Sequence, residues 1–236
     1  MSGNSRTTSL AVLIDADNAR ADHIEQLLVE VAKYGRASVR RAYGDWTSTQ
    51  LSPWKPHLLQ HSIEPIQQFS YTTGKNATDS SLIIDAMDLL HGGHLDGFCL
   101  VSSDSDFTRL AARLREDGLV VYGFGERKTP KPFVAACDTF IYIENLTAPP
   151  AVATPEQEAR KLKRDDALDK LLAEAVNAAA GDDNWANLGA VGSNLSRLAS
   201  DFDSRTWGFA KLKDLFAAHP DYKVQSKANG VLVQHL

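Results

Sequence analysis

Two strand-like stretches of the chain end in carboxylates. Residues 10–14, LAVLI, lead directly into Asp15, and residues 98–101, FCLV, are followed by SSDSD, which carries Asp104 and Asp106. The carboxyl ends of parallel strands lie together at one end of a sheet, so neighbouring strands would bring these acids within several ångströms of one another. We therefore expect one acidic site at the carboxyl end of a sheet.

Further acids lie on a predicted helix. Apolar spacing predicts a helix over residues 78–90, and Asp79 falls near its first turn, where we expect it to face the same end of the sheet. Asp85 follows after a rotation of about 600°, so it points about 120° away from Asp79. Asp88 points in another direction again and is the weaker candidate.

Carboxylates that converge on one spot repel one another, so they need raised pKa values or a cation to remain there. Hard divalent ions such as Mg²⁺ take oxygen ligands and often bind together with substrate phosphates. Such an ion lowers the pKa of a bound water molecule and stabilises charge on a phosphoryl group. The acids therefore indicate a divalent metal site and metal-assisted hydrolysis of phosphodiester bonds.

Helix capping is the alternative role for each acid on its own. Asp and Asn after a strand are common N-cap residues. Asp104 or Ser105 could cap a helix over residues 106–117, and Asn18 or Asp22 could cap the first helix. Capping or plain surface exposure is the more common role of any single acid, but it is the less favoured explanation for the whole set.

Strand-like and helix-like segments alternate over residues 10–146, which predicts a mostly parallel sheet with helices on both faces. Pro65 predicts that its strand lies at an edge of the sheet. The predicted strands are residues 10–14, 37–43, 63–69, 98–102, 120–125 and 140–146. The predicted helices are residues 21–33, 53–61, 78–90, 106–117 and 132–138.

The C-terminal part of the chain has a different character. Residues 147–159, TAPPAVATPEQEA, have the composition of a linker, and a helix predicted over residues 165–180 is followed by two more helical patterns. The chain ends in alternating residues around Asn229-Gly230, a strong hairpin signal. The pattern predicts a small winged-helix-like α+β domain over residues 161–236, after a linker over residues 147–160.

Composition excludes several classes of protein. The 236 residues carry a formal net charge of −5, so nucleic-acid binding would require local basic patches;. The two cysteines, Cys99 and Cys137, lack metal-ligand spacing, and no disulfide framework is expected. No apolar run approaches the length of a membrane span, and the polar N-terminus lacks the apolar core of a signal peptide. We expect a cytoplasmic protein without a membrane segment.

Three blocks resemble the motifs of the NYN domain family in order and spacing. They are VLIDADN (12–18), GKNATDSSLIIDAM (74–87) and LVSSDSDFTRLAARLREDGLVVYGFG (100–125). Members of this family are PIN-like nucleases, and many are metal-dependent ribonucleases. The resemblance implies a PIN-like three-layer α/β sandwich over residues 1–146 that uses Mg²⁺ or Mn²⁺.

The resemblance also assigns roles to individual residues. It implies that the metal-site and catalytic acids are Asp15, Asp79, Asp104 and Asp106. It places Asn18 at the family's polar catalytic position after the first strand, and it makes Asp85 a candidate supporting acid. Ser103 departs from the family pattern, which usually has glycine there, so its side chain could crowd the turn.

Residues 188–224, LGAVGSNLSRLASDFDSRTWGFAKLKDLFAAHPDYKV, resemble the LOTUS domain, also called the OST-type helix-turn-helix. The characteristic parts are FDSR (202–205), WGF (207–209) and KLKDL (211–215), and the resemblance extends over about residues 165–236. Family members bind RNA, some with a preference for G-rich or quadruplex forms, and some bind protein partners. The resemblance therefore implies RNA as a partner and leaves a protein partner open.

Basic residues of the first domain are candidate contacts to substrate phosphates. Lys75 precedes Asp79 in a Gly-Lys-Asn turn, and Arg127, Lys128 and Lys131 lie in the loop after the fifth predicted strand. Each of these side chains alone is more often a solvated charge, and the group from Arg127 to Lys131 is the strongest candidate.

Other residues are candidates for contacts to RNA on weaker grounds. Arg40 and Arg41 lie on the second strand and point to opposite faces. Aromatic residues in predicted loops could stack on unpaired bases: Trp46, Trp54 and Tyr71. RNA binding by the C-terminal domain would depend on Arg197, Arg205, Lys211 and Lys213, with Lys223 and Lys227 on the wing. The core of that domain is expected to include Phe202, Trp207, Phe209 and Leu215.

These observations give three hypotheses for function. The leading one is a metal-dependent endoribonuclease that acts on single-stranded or structured RNA, with a C-terminal module that holds the RNA. The second is a non-catalytic RNA-binding or adaptor protein with a vestigial acidic site. The third is a metal-dependent phosphatase or DNA nuclease that uses the same chemistry.

Overall fold

The apolar run before Asp15 forms a strand whose side chains are almost all buried, because the strand has neighbours on both sides and helices over both faces. The structure is a computed structural model that describes residues 7–69, 77–147, 165–181, 183–227 and 230–236. The chain divides into two units, Met1–Thr147 and Ala148–Leu236. From residue 148 onward the predicted linker lies outside the described residues.

The first unit alternates strands and helices, as the sequence predicts. The strands are β1 (Ser9–Asp15), β2 (Arg36–Gly44), β3 (Glu64–Gln67), β4 (Gly97–Val101), β5 (Val120–Gly125) and β6 (Thr139–Tyr142). The α-helices are α1 (Ile24–Val31), α2 (Trp54–Gln60), α3 (Ala77–His91), α4 (Thr108–Glu116), α5 (Lys131–Ala136) and α6 (Glu144–Thr147). Short 3-10 turns occur at Ala21–His23, Thr49–Leu51 and Ser105–Phe107.

The six strands form one sheet in the order β3-β2-β1-β4-β5-β6, and every neighbouring pair is parallel. Helices α1, α2 and α6 pack on one face, and α3, α4 and α5 pack on the other. The predicted three-layer α/β sandwich is thereby confirmed. The chain runs from β1 outward to β3 and then returns to β4 on the other side of β1. Ligands of open α/β sheets bind at such a switch point.

Two predicted strands are shorter in the structure. Residues 63–69 contribute only β3, and the position of β3 at the edge of the sheet confirms the expectation from Pro65. The strand predicted over residues 140–146 ends at Tyr142, and Glu144–Thr147 is helical, so that part of the prediction was wrong. The reason is the length of its neighbour: β5 ends at Gly125, which pairs with Tyr142, and offers no further partner.

In the described residues, the second unit packs three α-helices against a small antiparallel sheet, and Ser204–Trp207 forms a 3-10 helix. Its helices are α7 (Asp166–Asn177), α8 (Leu188–Leu198) and α9 (Leu212–Ala218), and its strands are β7 (Ala186–Asn187), β8 (Tyr222–Lys227) and β9 (Gly230–His235). The strand order is β7-β9-β8, and Lys227 pairs with Gly230 across the predicted hairpin. Phe209 and Leu215 are buried, and Phe202 and Trp207 pack against the core, as expected.

Candidate active site

Strand β1 places Asp15 at the carboxyl end of the sheet, where its side chain is fully buried. Its Oδ2 accepts hydrogen bonds from Asn18 Nδ2 and Ser102 Oγ, each at 2.8 Å. Its Oδ1 is buried and has no hydrogen-bond partner among the described residues. Burial raises the pKa of this carboxyl, while the two hydrogen bonds act in the opposite direction;. A buried acceptor without a partner costs free energy, and a cation would satisfy it.

Strand β4 is the neighbour of β1 in the sheet, and the loop that follows β4 carries Asp104 and Asp106. Asp104 Oδ1 accepts a hydrogen bond from the Asp106 N–H at 3.0 Å, so Asp104 caps the short helical turn before α4. The N–H of Asp104 donates to Ser102 Oγ at 3.1 Å, and that hydroxyl donates to Asp15. Asp104 therefore caps a helix, and Ser102 also ties it to the acid of β1.

Asp79, in the first turn of α3, completes the cluster. One carboxylate oxygen each from Asp79, Asp104 and Asp106 lie within 4.8 Å of one another. Oxygens that share a Mg²⁺ ion lie roughly 3–4 Å apart, given its ligand distance of about 2.1 Å. Asp79 is buried and Asp106 is exposed, so the cluster has one side within the protein and one side open to solvent.

The acids interact electrostatically, as the sequence predicts. The pKa of Asp79 is raised to about 6, first by burial and then by the charges of Asp15, Asp104 and Asp106. The donors are all carboxylate oxygens, which suit Mg²⁺ or Mn²⁺ rather than softer ions. The unpartnered oxygen of Asp15 and the repulsion on Asp79 are both conditions that a divalent cation would relieve. The residues present thus fit the implied metal.

Asp17 and Ser102 are two site residues that sequence reasoning did not select. Asp17 is exposed, and its charge raises the pKa values of both Asp15 and Asp79. Gly44 at the end of β2 leaves room for it, because a Cβ there would lie 3.2 Å from Asp17 Oδ1. The signal for Asp17 was its place in the Asp15-Ala16-Asp17 motif. The sequence held no signal for Ser102, because its partner Asp15 is 87 residues away in the chain.

Asp85, the candidate supporting acid, is not one of the three acids that converge. Its Oδ1 forms an ion pair with Arg41 Nη1 at 2.5 Å, and its Oδ2 accepts a hydrogen bond from the Tyr43 hydroxyl. Both partners lie on β2, so Asp85 joins α3 to the sheet. Arg41 also pairs with Glu64, from Nε at 3.0 Å, so two of its three guanidinium nitrogens have partners within the protein.

Ser103, which stands where the family usually has glycine, does not crowd its turn. Its Oγ accepts a hydrogen bond from the N–H of Glu126 at 2.9 Å. The side chain thus links the loop after β4 to the loop after β5, and both acids of the first loop keep their places.

The basic loop after β5 makes more internal contacts than the sequence predicts. Arg127 donates from Nη2 to Asn145 Oδ1 at 3.0 Å and lies 5.9 Å from the ring centroid of Tyr142. Lys128 pairs with Glu126 at 2.7 Å. Lys131, also exposed, begins α5. These residues lie after the carboxyl end of β5, and these contacts of Arg127 and Lys128 are to groups of the protein itself.

The remaining candidates of the first unit divide into buried and undescribed residues. Trp54 is 3% exposed and belongs to the core, so the expectation that it stacks on a base was wrong. Trp46 is half-buried, and its indole N–H donates to the carbonyl of Ile66 at 3.0 Å. Lys75 and Tyr71 lie outside the described residues.

The basic candidates of the second unit also differ in their availability. Arg205 forms an ion pair with Asp203 at 2.6 Å, and Lys213 Nζ donates to Ser226 Oγ at 3.1 Å. Lys211 is exposed at the N-cap of α9. Lys211 and Lys213 line a groove between α8, α9 and the start of β9.

The three-layer sandwich and its acidic cluster are those of a PIN-like α/β domain. The model of the NYN domain family matches residues 9–144, and that of the OST-HTH/LOTUS domain matches residues 160–234. The chain belongs to the NYN domain family and carries an OST-HTH/LOTUS domain in its C-terminal unit, which confirms both resemblances. The NYN domain indicates a nuclease-type hydrolase family, whose members generally use divalent metals, and the LOTUS domain supports binding of RNA.

Other comparisons add less. No curated protein matches the chain. The crystal structure of a protein of unknown function from Vibrio parahaemolyticus is 19% identical over 60% of this chain and 96% of that one, with a TM-score of 0.49. A likeness at this level carries no functional argument. Within the described residues, no helix has the length and apolar character needed to cross a membrane.

Proposed function

We propose that the chain is a metal-dependent endoribonuclease whose LOTUS domain holds the RNA. The observation that carries this proposal is the convergence of Asp79, Asp104 and Asp106, which offer carboxylate oxygens within 4.8 Å of one another. Membership of the NYN family supports hydrolysis of phosphodiester bonds. The buried free cysteines suit a reducing compartment, and we propose a cytoplasmic location;.

Each acid would have a defined part in the reaction. Asp79, Asp104 and Asp106 would hold the cation, with Asp15 as the fourth acid of the metal site. A bound Mg²⁺ or Mn²⁺ would lower the pKa of a coordinated water molecule and neutralise charge on the scissile phosphate. Asn18 orients Asp15 by donating to its Oδ2, which leaves Oδ1 for the site.

Cleavage of a circular single-stranded RNA is the direct test. A circle has no ends for an exonuclease, so any cleavage of it is endonucleolytic. We expect linear products when Mn²⁺ or Mg²⁺ is present and intact circles when EDTA removes the metal. The same assay with circular single-stranded DNA and with p-nitrophenyl phosphate separates the three hypotheses. Turnover of the small phosphoester alone would favour a phosphatase, and cleavage of DNA alone would favour a DNA nuclease.

A non-catalytic adaptor is the second candidate function, because the LOTUS domain on its own supports RNA binding. Tight binding of RNA by the full chain, without cleavage under any metal condition, would replace the nuclease with this adaptor. Binding to G-rich or quadruplex RNA and binding to a protein partner are further proposals for this domain. They can be compared in the same binding assay.

Lys211 is the residue of the LOTUS domain that we expect to contact RNA phosphate. It is exposed and lines the groove between α8, α9 and the start of β9 together with Lys213, so its ammonium can pair with a phosphate that enters this groove;. In the catalytically inactive Asp104→Asn/Asp106→Asn background, Lys211→Glu should weaken binding of labelled RNA about fivefold or more and reduce its salt dependence.

Lys170→Glu is the matched control for Lys211→Glu, since Lys170 is an exposed lysine of α7 in the same unit. Its RNA affinity, measured by fluorescence anisotropy, should stay close to that of the parent. An equal loss in both variants would mean that only overall charge matters, and no loss in either would remove Lys211 from the interface.

A further inference from the structure

Asp85 has two strong contacts that connect α3, the helix that carries Asp79, to the sheet. Its carboxylate is 2.5 Å from the guanidinium of Arg41 and accepts a hydrogen bond from the hydroxyl of Tyr43. The Asp85 and Arg41 side chains are 23% and 25% exposed, so the pair is shielded from most solvent. Screening therefore weakens this ion pair less than a fully exposed one.

Tyr43 brings this contact beside the first acid of the site. It lies directly opposite Asp15 in the register between β1 and β2, and its side chain is fully buried. Asp15 and Asp79 are therefore connected through three contacts. Asp15 pairs with Tyr43 across the two strands, Tyr43 donates a hydrogen bond to Asp85, and Asp85 lies on the same helix as Asp79.

The acidic cluster places like charges against the start of α3. Asp79 lies in the first turn of α3, and one of its oxygens lies within 4.8 Å of oxygens of Asp104 and Asp106, so these carboxylates repel one another;. The buried apolar residues of α3 are Leu82 and Ala86, and four partly buried ones pack against the same core: Ile83, Met87, Leu89 and Leu90. A polar contact with fixed geometry at Asp85 opposes the repulsion and sets the distance between α3 and β2.

We propose that Asp85, bound by Arg41 and Tyr43, is a positioning residue that holds Asp79 within the acidic cluster. Its role is to orient a metal ligand from a distance, without contacting the cation or the substrate. The metal part of this inference rests on the proposed function, and the positional part can be tested without metal.

The first experiment measures Mn²⁺ binding to the full chain by isothermal titration calorimetry. Loss of a group that orients a metal ligand typically weakens metal affinity about 10- to 100-fold. We expect a loss in this range for Asp85→Asn and a smaller one for Tyr43→Phe, which removes only the hydroxyl and keeps the buried ring. Asp88→Asn makes the same chemical change at an exposed position of α3 and should bind Mn²⁺ like wild type.

Cleavage assays then distinguish positioning from direct participation. Excess Mn²⁺ should restore most of the kcat of Asp85→Asn, because the ligands remain and only their alignment is impaired. It should not restore Asp79→Asn, which lacks a ligand. Unchanged Mn²⁺ affinity in both Asp85→Asn and Tyr43→Phe, with normal thermal unfolding, would overturn the proposal.

A thermal-unfolding cycle without metal tests the positional role alone. Asp79→Asn relieves repulsion only while α3 is held close to the other acids. It should therefore raise the Tm of wild type, and raise the Tm of Asp85→Asn by less than half as much. Equal increments in both backgrounds would contradict the proposal. If wild type bound no Mn²⁺ but the cycle showed this coupling, the metal site would fall and the positioning role would stand.

Discussion

The double variant Asp104→Asn/Asp106→Asn is expected to lose metal-dependent RNA cleavage by at least about a thousandfold. Loss of one preorganised hydrogen-bond donor at an active site already costs about 10²–10³ in kcat, and this variant removes two charges from the proposed metal site. The two residues supply two of the three oxygens that lie within 4.8 Å of one another. Asparagine is nearly isosteric but has no charge to hold a cation. Rates of cleavage of labelled RNA at saturating Mn²⁺, with and without EDTA, measure the effect.

Asp88→Asn/Asp117→Asn is the matched control, because it removes the same amount of negative charge from two surface positions. Asp88 is exposed on α3, and Asp117 pairs with Arg113 after α4, a surface contact worth little;. The control should cleave RNA at nearly the wild-type rate. Cleavage that survives in the Asp104/Asp106 variant would move the active site elsewhere, and equal loss in both variants would point to a general effect of charge.

Metal affinity should depend on pH through Asp79, whose pKa is raised to about 6 by burial and by its acidic neighbours. A proton and a cation compete for this carboxylate, so apparent Mn²⁺ affinity should fall about tenfold for each pH unit below 6. Above about pH 7, where Asp79 is already ionised, the apparent Mn²⁺ affinity should no longer change with pH. Calorimetric titrations between pH 5 and pH 8 measure the curve, and an affinity that is constant across this range would contradict it.

The same pKa sets a dependence of stability on pH in the metal-free protein. Asp79 has a higher pKa in the folded chain than its ordinary 3.8, so the folded state binds more protons between these values. The contribution of Asp79 to the free energy of unfolding is therefore greatest at low pH and declines as pH rises to about 6. Asp79→Asn should stabilise the protein by about 1–2 kcal/mol at pH 8.

That stabilisation by Asp79→Asn should disappear near pH 4, where the wild-type carboxyl is protonated in the folded chain. Asp88→Asn should show no comparable gain at either pH. Urea unfolding at both pH values measures the difference. A destabilised Asp79→Asn at pH 8 would mean that the carboxylate makes favourable contacts that outweigh its repulsion.

Periodicity and motif order were enough to predict the sheet and the meeting of its acids. Continuous apolar runs can form buried parallel strands, and such strands bring their carboxyl ends together whatever their length. The predicted helix that carries Asp79 was also correct to within one residue at each end, since Ala77–His91 follows the apolar spacing. These features depend on local pattern and on general rules of α/β topology.

The role of Asp85 depended on information that local pattern does not contain. Its partners Arg41 and Tyr43 are 44 and 42 residues away, and the contact exists only because β2 lies beneath α3. The helical angle showed that Asp85 points away from Asp79 but could not show what it meets. The internal partner of Arg127 was missed for a related reason, because Asn145 lies in a segment that the sequence indicated as strand.

The pairing of β1 with β4 also affects how the protein folds during its synthesis. Ser102 and Asp15, joined by a hydrogen bond across that switch point, are 87 residues apart in the chain. Contacts between such distant residues form slowly, because a long loop must close before they gain any stabilisation. During synthesis the acids of the cluster cannot assemble until the segment through Asp106 has left the ribosome. A growing chain therefore holds no complete cluster while most of its first unit is being made.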